Sequence, residues 1–206
     1  MNAAITLRTA GPADVAAIHR LIFVNLEVGH LLPRTIADLE QHASRFVVAD
    51  AGDAIVGCAE LAPLSGRVAE VRSLVVDQTH RGRQIGPTMV SHLAETAVAR
   101  GYVTLCAFTH EPSHFVRMGF TIVPHVWVPE KIARDCTSCA LFRNCGQYAV
   151  TLTLKPGVVL RPERPAALIA AGRVASARRP NVERLKLRPV PLREGSPERE
   201  KEPIPA

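Results

Sequence analysis

Hydrophobic and polar positions in the first three quarters of the chain alternate between helical and extended spacing. Apolar residues three and four positions apart predict one helix that begins near Pro12 and a second helix capped by Thr35. Short apolar runs on both sides of the turn "AGD", residues 51–53, predict a β-hairpin. The predicted order of elements is βααβββαβαβ with a further strand at the end. This order predicts an α/β domain built on a mixed sheet.

The most regular predicted helix runs from about Gly86 to Arg100. Its apolar stripe consists of Met89, Val90, Leu93 and Ala97. Gly101 follows at the position where a left-handed cap ends a helix. A strand, "EVRSLVV", precedes this helix and another, "YVTLCAF", follows it.

The composition predicts one well-buried domain followed by a tail. A chain of 206 residues with 47% hydrophobic content is long enough for one such domain. Residues 156–206 hold nine of the 16 prolines and eleven of the 25 Lys and Arg residues. We therefore divide the chain into a folded domain, 1–155, and a disordered Pro/Arg-rich tail, 156–206. The tail is either a solvated appendage or a basic arm for nucleic acid or an acidic partner.

Cysteine usage and the lack of long apolar runs predict a soluble, cytoplasmic protein. No apolar run approaches the roughly 18 residues that a membrane helix needs, and the N-terminus lacks a leader pattern. The five cysteines, an odd number, favour reduced thiols or metal ligands over disulfides. Cys136 and Cys139 have the spacing of a zinc-binding pair, with Cys145 as a third thiol, but no second pair follows. We expect no metal.

The motif that carries chemistry is "THRGRQIG", residues 79–86, between the strand and the regular helix. Backbone N–H groups of a Gly-rich turn and of a helix N-terminus can bind an anion together. Gln84 is compatible with such a turn if its φ is negative. If the turn requires a positive φ at this position, anion binding is expected to weaken.

This turn, its flanking elements and "HFVRMGF", residues 114–120, resemble the GCN5-related N-acetyltransferase superfamily. The stretches "LLPRT", residues 31–35, and "VPEKIARDCTSCALFRNC", residues 128–145, resemble short bacterial amino-acid N-acetyltransferases of the N-acetylglutamate synthase type. The resemblance implies the GNAT acyl-CoA N-acyltransferase fold. It also implies acetyl transfer from acetyl-CoA to the α-amine of L-glutamate or L-glutamine, the first step of arginine biosynthesis.

In this family the turn holds the diphosphate of coenzyme A, and Gln84 stands where Gly is usual. The residues expected to bind acetyl-CoA are Leu74, Val75, Val76, Arg81, Gly82, Arg83, Gln84, Ile85, Gly86, Pro87 and Thr88. The backbone N–H of Val75 or Val76 is expected to stabilise the developing oxyanion.

The acceptor amine must lose a proton before it attacks a thioester, so a carboxylate near the reacting strand is expected. Glu70 is the first candidate for this base, because it resembles the catalytic glutamate of histone-modifying members. Strict alternation would place it on one face with Arg72, Leu74 and Val76. Glu60 is the second candidate, and a purely structural salt bridge from Glu70 to Arg72 is the alternative.

Phe115 occupies the position where many superfamily members have a Tyr that protonates the leaving sulfur. A thiol with a pKa of roughly 8.5 can leave as the thiolate without that phenol. His110 and His114 lie close by in sequence and are alternative proton donors.

A substrate with carboxylates requires cations, and the candidates are Arg34, Arg72 and Lys131. Each could instead be an exposed charge or part of an intramolecular pair. Two other functions stay open: an acetyltransferase for another amine, and a catalytically silent acetyl-CoA-binding module. The expected partners are acetyl-CoA and a small amino acid. A homodimer is compatible with these expectations, and nucleic acid is not an expected partner.

Overall fold

The computed structural model describes residues 5–27, 31–155 and 157. Within these residues, seven strands form one sheet: β1 (Thr6–Thr9), β2 (Phe46–Asp50), β3 (Ile55–Pro63), β4 (Val68–Val76), β5 (Thr104–Thr109), β6 (Thr121–Val123) and β7 (Tyr148–Thr153). The helices are α1 (Val15–Val24), α2 (Ile36–His42), α3 (Ile85–Ala99), α4 (Pro112–Arg117) and α5 (Pro129–Lys131). The predicted class and the order of strands and longer helices are confirmed. Helix α5, which continues into the π-turn Ile132–Cys136, was not predicted.

The sheet has the strand order β1-β2-β3-β4-β5-β7-β6 and is mixed, as predicted. Neighbouring strands are antiparallel except β4 and β5, which are parallel and pair over three residues each, ending at Glu70↔Cys106. Beyond this point β4 continues to Val76 and β5 to Thr109 without pairing to each other. The two strands therefore part and leave a gap in the middle of the sheet.

The buried hydrophobic residues form three clusters against the sheet, and two of these clusters contain the longer helices. One core contains α3, and its buried side chains include the whole predicted stripe, Met89, Val90, Leu93 and Ala97. The other contains α1 and α2, and Ile18, Leu21 and Ile22 of α1 are buried in it. Both predicted helix ends are confirmed: the Thr35 hydroxyl accepts a hydrogen bond from the Asp38 N–H at 3.1 Å, and Gly101 has φ +85°.

Strand β4 carries one more residue than β3 in the stretch where the gap begins. Cys58 pairs with Val75 and Glu60 pairs with Arg72, so three steps on β4 face two steps on β3. Ser73 lies in this interval and has φ +49°, a conformation that a non-glycine residue rarely adopts. These features define a β-bulge, which bends a strand and increases its twist.

The bulge reverses the alternation of β4, so one prediction was wrong. Leu74 and Val76 pack against the α3 core, whereas Val75 packs against the α1–α2 core. Arg72 pairs with Glu60 of β3, and Glu60 pairs with Phe46 of β2, which is buried in the α1–α2 core. Glu70 and Arg72 therefore face the α1–α2 side and do not share a face with Leu74 and Val76.

The predicted tail, 156–206, lies outside the described residues except for Gly157. The domain boundary at residue 155 therefore stays a prediction. No helix in the described part of the chain has the length and apolar character needed to cross a membrane.

Candidate active site

A cavity of about 1030 Å³ opens at the gap between β4 and β5. Its lining comes from the residues before α2, the middle of β4, the turn before α3, the end of β5 and the segment after α5. We distinguish two walls of this cavity. The backbone wall consists of Leu74, Val76, Arg81, Gly82, Gln84, Ile85 and Gly86, and the charged wall consists of Arg34, Asp38, Arg45, Glu60, Glu70, Arg72, Lys131, Arg134 and Asp135.

The turn in the backbone wall has the geometry of an anion site. Gly82 has φ +79° and Gln84 has φ +61°, so the turn does require a left-handed residue where the sequence has Gln. Gln84 is the N-cap of α3 and its carbonyl accepts the Thr88 N–H at 3.0 Å. The N–H groups of the first turn of α3, where the helix dipole is positive, therefore border the cavity at Ile85 and Gly86.

Arg81, the first residue of the turn, uses its side chain within the protein. Its Nε donates to the Val76 carbonyl at 3.1 Å and its Nη2 donates to Asn25 Oδ1 at 2.7 Å. Asn25 is buried at the end of α1 and donates to the Leu21 carbonyl at 2.9 Å. Arg81 therefore ties the turn to β4 and α1.

The open edge of β4 supplies backbone donors to the gap. The Asp77 N–H donates to the Val56 carbonyl of β3 at 2.8 Å. Because N–H groups alternate in direction along a strand, the Val76 N–H points to the opposite edge, which is the gap. Of the two predicted oxyanion donors, the geometry therefore favours Val76 over Val75.

Most of the predicted acetyl-CoA residues lie together on the cavity. These are Leu74, Val76, Arg81, Gly82, Gln84, Ile85, Gly86 and Pro87. Val75, Arg83 and Thr88 are not in the lining: the Val75 side chain is 4% exposed in the α1–α2 core, and Thr88 donates its hydroxyl to the Gln84 carbonyl at 2.7 Å.

The charged wall contains all three predicted substrate cations and both predicted carboxylates. Its five cations outnumber its four carboxylates by one. Glu60, 1% exposed, accepts a hydrogen bond from Arg34 Nη1 at 2.7 Å on Oε2, and its Oε1 lies 3.9 Å from Arg45 Nη1. Arg34 also pairs with Asp38 and donates to Ser73 Oγ at 3.3 Å.

Glu70, 2% exposed, is held by cations on both oxygens. Lys131 Nζ lies 2.8 Å from Oε1 and 3.0 Å from Oε2, and Arg72 Nε donates to Oε2 at 2.6 Å. Asp135 joins the cluster by pairing with Arg72 and, at 2.9 Å, with Lys131. The salt bridge from Glu70 to Arg72 considered above is thus present, within a larger network.

The network stabilises the charged forms of Arg34, Arg72 and Asp135 despite their partial burial. Desolvation would lower the pKa of Arg34, but the hydrogen bond and the charge of Glu60 raise it overall. Desolvation likewise opposes the charge of Arg72, and the charge and hydrogen bond of Glu70 raise its pKa. Burial would raise the pKa of Asp135, but the hydrogen bond from Lys131 and the nearby positive charges lower it. The wall therefore offers fixed charges to an ionic ligand.

Four members of the charged wall were not predicted: Asp38, Arg45, Arg134 and Asp135. Asp135 follows Lys131 by four residues, the spacing of a helical ion pair, and that signal could have found it. Arg134 donates to the Pro63 carbonyl, a contact between distant segments that the sequence does not indicate.

The residues considered for protonating the leaving sulfur line the cavity near α4. Phe115 is 7% exposed and packs edge-on against Phe120, with ring centroids 5.1 Å apart. His114 Nδ1 lies 2.8 Å from Arg117 Nη2, and His110 also lines the cavity. No phenol stands at the Phe115 position.

The cysteines fall into a buried pair and a more accessible set. Burial raises the pKa of the Cys58 thiol to about 12, and burial together with the charge of Glu70 raises the pKa of Cys106 well above its usual value. Cys136 is half-buried, and Cys139 and Cys145 are exposed. The described residues contain no group of three or more His, Cys, Asp or Glu side chains placed to hold a metal ion.

Comparisons with known proteins show the family of this chain. The model of the acetyltransferase (GNAT) family matches residues 14–120. An uncharacterized N-acetyltransferase of Chlorobaculum tepidum is 32% identical over 148 residues, which is 72% of this chain and 96% of that protein. The chain belongs to the acetyltransferase (GNAT) family. It is therefore an N-acetyltransferase, and acetyl-CoA is its acetyl donor.

Two further relatives of this acetyltransferase bear on its acceptor. An amino-acid acetyltransferase of Mycobacterium tuberculosis is 32% identical over 119 residues, or 56% of this chain and 67% of that protein. A solved Mycobacterium tuberculosis protein in complex with CoA and NLQ matches with a TM-score of 0.64 and 26% identity, covering 73% of this chain and 99% of that one. Other amino-acid acetyltransferases are longer, and the chain spans 26 to 28% of their length.

Proposed function

We propose that this acetyltransferase transfers the acetyl group of acetyl-CoA to the α-amine of L-glutamate or its amide L-glutamine. This reaction is the entry step of arginine biosynthesis. Acetyl-CoA would lie along the backbone wall, with its diphosphate at residues 81–86 and its thioester carbonyl near the Val76 N–H. The acetyl group supplies the electrophile, and the protein positions both partners and handles the protons.

The observation that carries the proposal is the charged wall beside the gap. Arg34, Arg72 and Lys131 come from three separate segments of the chain and meet around one cavity. The wall has five cations to four carboxylates, and its ion pairs stabilise the charged forms of Arg34 and Arg72, so it favours an acceptor that bears carboxylates over a cationic amine. Arg fork geometry matches a carboxylate with two parallel hydrogen bonds. The similarity to proteins named amino-acid acetyltransferase agrees with this acceptor.

The proposal is tested by measuring release of free coenzyme A thiol from acetyl-CoA with a panel of amines. The panel contains glutamate, glutamine, aspartate, leucine, lysine and spermidine. We expect glutamate or glutamine to stimulate release most, and N-acetylated product of matching mass to appear. Stimulation by spermidine or lysine alone would replace the proposal with a polyamine or other amine acceptor, and stimulation by none of them would remove it.

A further inference from the structure

The two buried carboxylates of the charged wall, Glu60 and Glu70, differ in how many of their oxygens accept charged hydrogen bonds. Both Glu70 oxygens accept charged hydrogen bonds at 3.0 Å or less, from Lys131 and Arg72. In Glu60 only Oε2 has such a bond, from Arg34 at 2.7 Å. Arg45 Nη1 lies 3.9 Å from Glu60 Oε1, which exceeds hydrogen-bond distance.

This difference matters because a base must receive a proton on an oxygen that an amine can reach. A base must come within hydrogen-bond distance of the proton that it removes. For Glu70 to do so, it would have to give up a bond to Lys131 or Arg72. Glu60 can accept the amine on Oε1 and keep its bond to Arg34, which holds the carboxylate in place.

The position of Glu60 also suits the reaction. Glu60 on β3 lies directly opposite Arg72 on β4, and Arg72 immediately precedes the bulged Ser73. Arg34 contacts both Glu60 Oε2 and Ser73 Oγ, so the carboxylate is tied to the bulge of β4. Glu60 and Val76 line the same cavity, so an acceptor bound there would have both the carboxylate and the expected oxyanion donor beside it.

We infer that Glu60, through Oε1, is the base that deprotonates the acceptor amine, and that Glu70 instead positions Lys131 and Arg72. This inference deepens the proposed function and rests on it. The protonated amine gives one proton to Glu60, which passes it to solvent. The free amine then forms the N–C bond as the C–S bond of acetyl-CoA breaks. The second amine proton leaves and neutralises the coenzyme A thiolate, so the products are the amide, the thiol and one released proton.

Several ionisable groups line the cavity around Glu60. Arg34, Asp38 and His42 belong to α2 and the residues just before it, Arg45 follows α2, and Glu70 and Arg72 lie on β4. His42 is the only one of these described groups with a buried ring nitrogen, Nδ1, that lacks a hydrogen-bond partner. It is therefore the competing base, and the experiment includes it.

The experiment compares pH profiles of kcat for Glu60→Gln, Glu70→Gln and His42→Gln, with saturating acetyl-CoA and the best acceptor of the panel. Exposed Glu40 on α2 supplies the matched control, Glu40→Gln. We expect Glu60→Gln to lower kcat about 100-fold near pH 7. The deficit should shrink above the pKa of the amine, because the amine then arrives already deprotonated. Glu70→Gln should mainly raise the acceptor KM and keep the shape of the wild-type profile.

Folding is checked separately, because Glu60→Gln leaves Arg34 with a weaker partner. The Kd for acetyl-CoA should match the wild type within about threefold, because Glu60 lies in the other wall. The unfolding transition should stay cooperative but move to a lower temperature, because a buried pair has lost one charge. If Glu60→Gln fails to fold, Glu60→Asp decides: it keeps the charge but withdraws the oxygens by one methylene. For Glu60→Asp we expect a lower kcat with an unchanged profile shape.

Three results would overturn the inference. One is a Glu60→Gln deficit that is the same at every pH, and another is a low-pH deficit in Glu70→Gln or His42→Gln instead. The third is wild-type kcat in Glu60→Asp when Glu60→Gln cannot be studied. Failure of the proposed function looks different, because wild-type protein would then release no thiol with glutamate or glutamine.

Discussion

The two walls of the cavity present different chemical groups to a ligand. The backbone wall offers N–H groups of β4 and of the first turn of α3, and its side chains are mostly exposed or committed elsewhere, as Arg81 is. The charged wall centres on two buried carboxylates, Glu60 and Glu70, which partly buried Arg and Lys side chains hold in ion pairs. A site made of backbone tolerates side-chain changes that keep its φ angles, whereas a site made of paired charges does not. The difference suggests that the first wall defines the family and the second selects the amine.

Arg34→Met is expected to separate the two walls most strongly, because it should weaken acceptor binding and leave acetyl-CoA binding unchanged. This change leaves Glu60 and Asp38 without their common partner, and loss of one member of a buried pair costs about 3 kcal/mol of unfolding free energy. We expect the acceptor KM to rise about 100-fold, because a charge-assisted hydrogen bond is lost as well. The Kd for acetyl-CoA should stay close to the wild-type value.

Kinetics, calorimetric acetyl-CoA binding and urea unfolding of the same variant check this prediction. Arg20→Met, at an exposed position on α1, is the matched control and should behave as wild type. Equal losses in acceptor and acetyl-CoA affinity would show that the two walls are not separate.

Lys131→Met is expected to have a smaller effect of the same kind. Glu70 loses its contacts to Lys131 but keeps the hydrogen bond from Arg72, and Asp135 keeps its pair with Arg72. We expect the acceptor KM to rise about tenfold, the amount that loss of one charged hydrogen bond produces. Exposed Lys155→Met is the control, and an unchanged KM in Lys131→Met would exclude this side chain from acceptor binding.

Gln84→Gly tests the backbone wall. A non-glycine residue at φ +61° is strained, so we expect Gly to stabilise the fold by about 1 kcal/mol and to raise Tm by roughly 3 °C. The Kd for acetyl-CoA should change by about threefold or less, because the N–H directions depend on the φ angles and not on the side chain. Gln78→Gly in the preceding turn, where φ is not positive, should lower Tm. A much tighter Kd in Gln84→Gly would show that the Gln side chain obstructs the coenzyme.

The smallest expected effect is on the alkylation of the buried thiols, Cys58 and Cys106. Cys58 lies beneath the bulge with its Sγ 3.6 Å from the Ser73 carbonyl, and its raised pKa of about 12 means that little thiolate exists near pH 8. Iodoacetamide should therefore label exposed Cys139 and Cys145 first and leave Cys58 and Cys106 unlabelled. Mass spectrometry of peptides at increasing reaction times gives the order. Early labelling of Cys58 would mean that the charged wall opens in solution.

The backbone wall was the more predictable of the two from sequence. A strand, a Gly-rich turn and a helix are consecutive in the chain, so their placement follows from local signals. The φ of Gln84 was left open, because a sequence shows which residue is present but not which conformation the surrounding turn imposes on it. The comparisons and the fold confirm the family, while the roles of the individual site residues remain predictions.

The charged wall was predicted only in part. Arg34, Arg72 and Lys131 were chosen as carboxylate ligands, and all three line the cavity. Their partners depend on segments that are far apart in sequence, as for Glu60 with Arg34 and Asp135 with Arg72. The orientation of β4 was wrong, because alternation by twos cannot anticipate a bulge whose cause lies in pairing with β3.

The bulge has a consequence for how this protein can fail. With Ser73 removed, Arg72, Leu74, Val75 and Val76 would alternate without interruption and each would keep its present face. A deletion of this single codon should therefore leave both cores filled while straightening the strand toward β5. Such a protein would fold and be degraded no faster than the parent, yet have no room for its coenzyme. In β4, we therefore expect a single residue to decide whether the folded protein can bind its coenzyme.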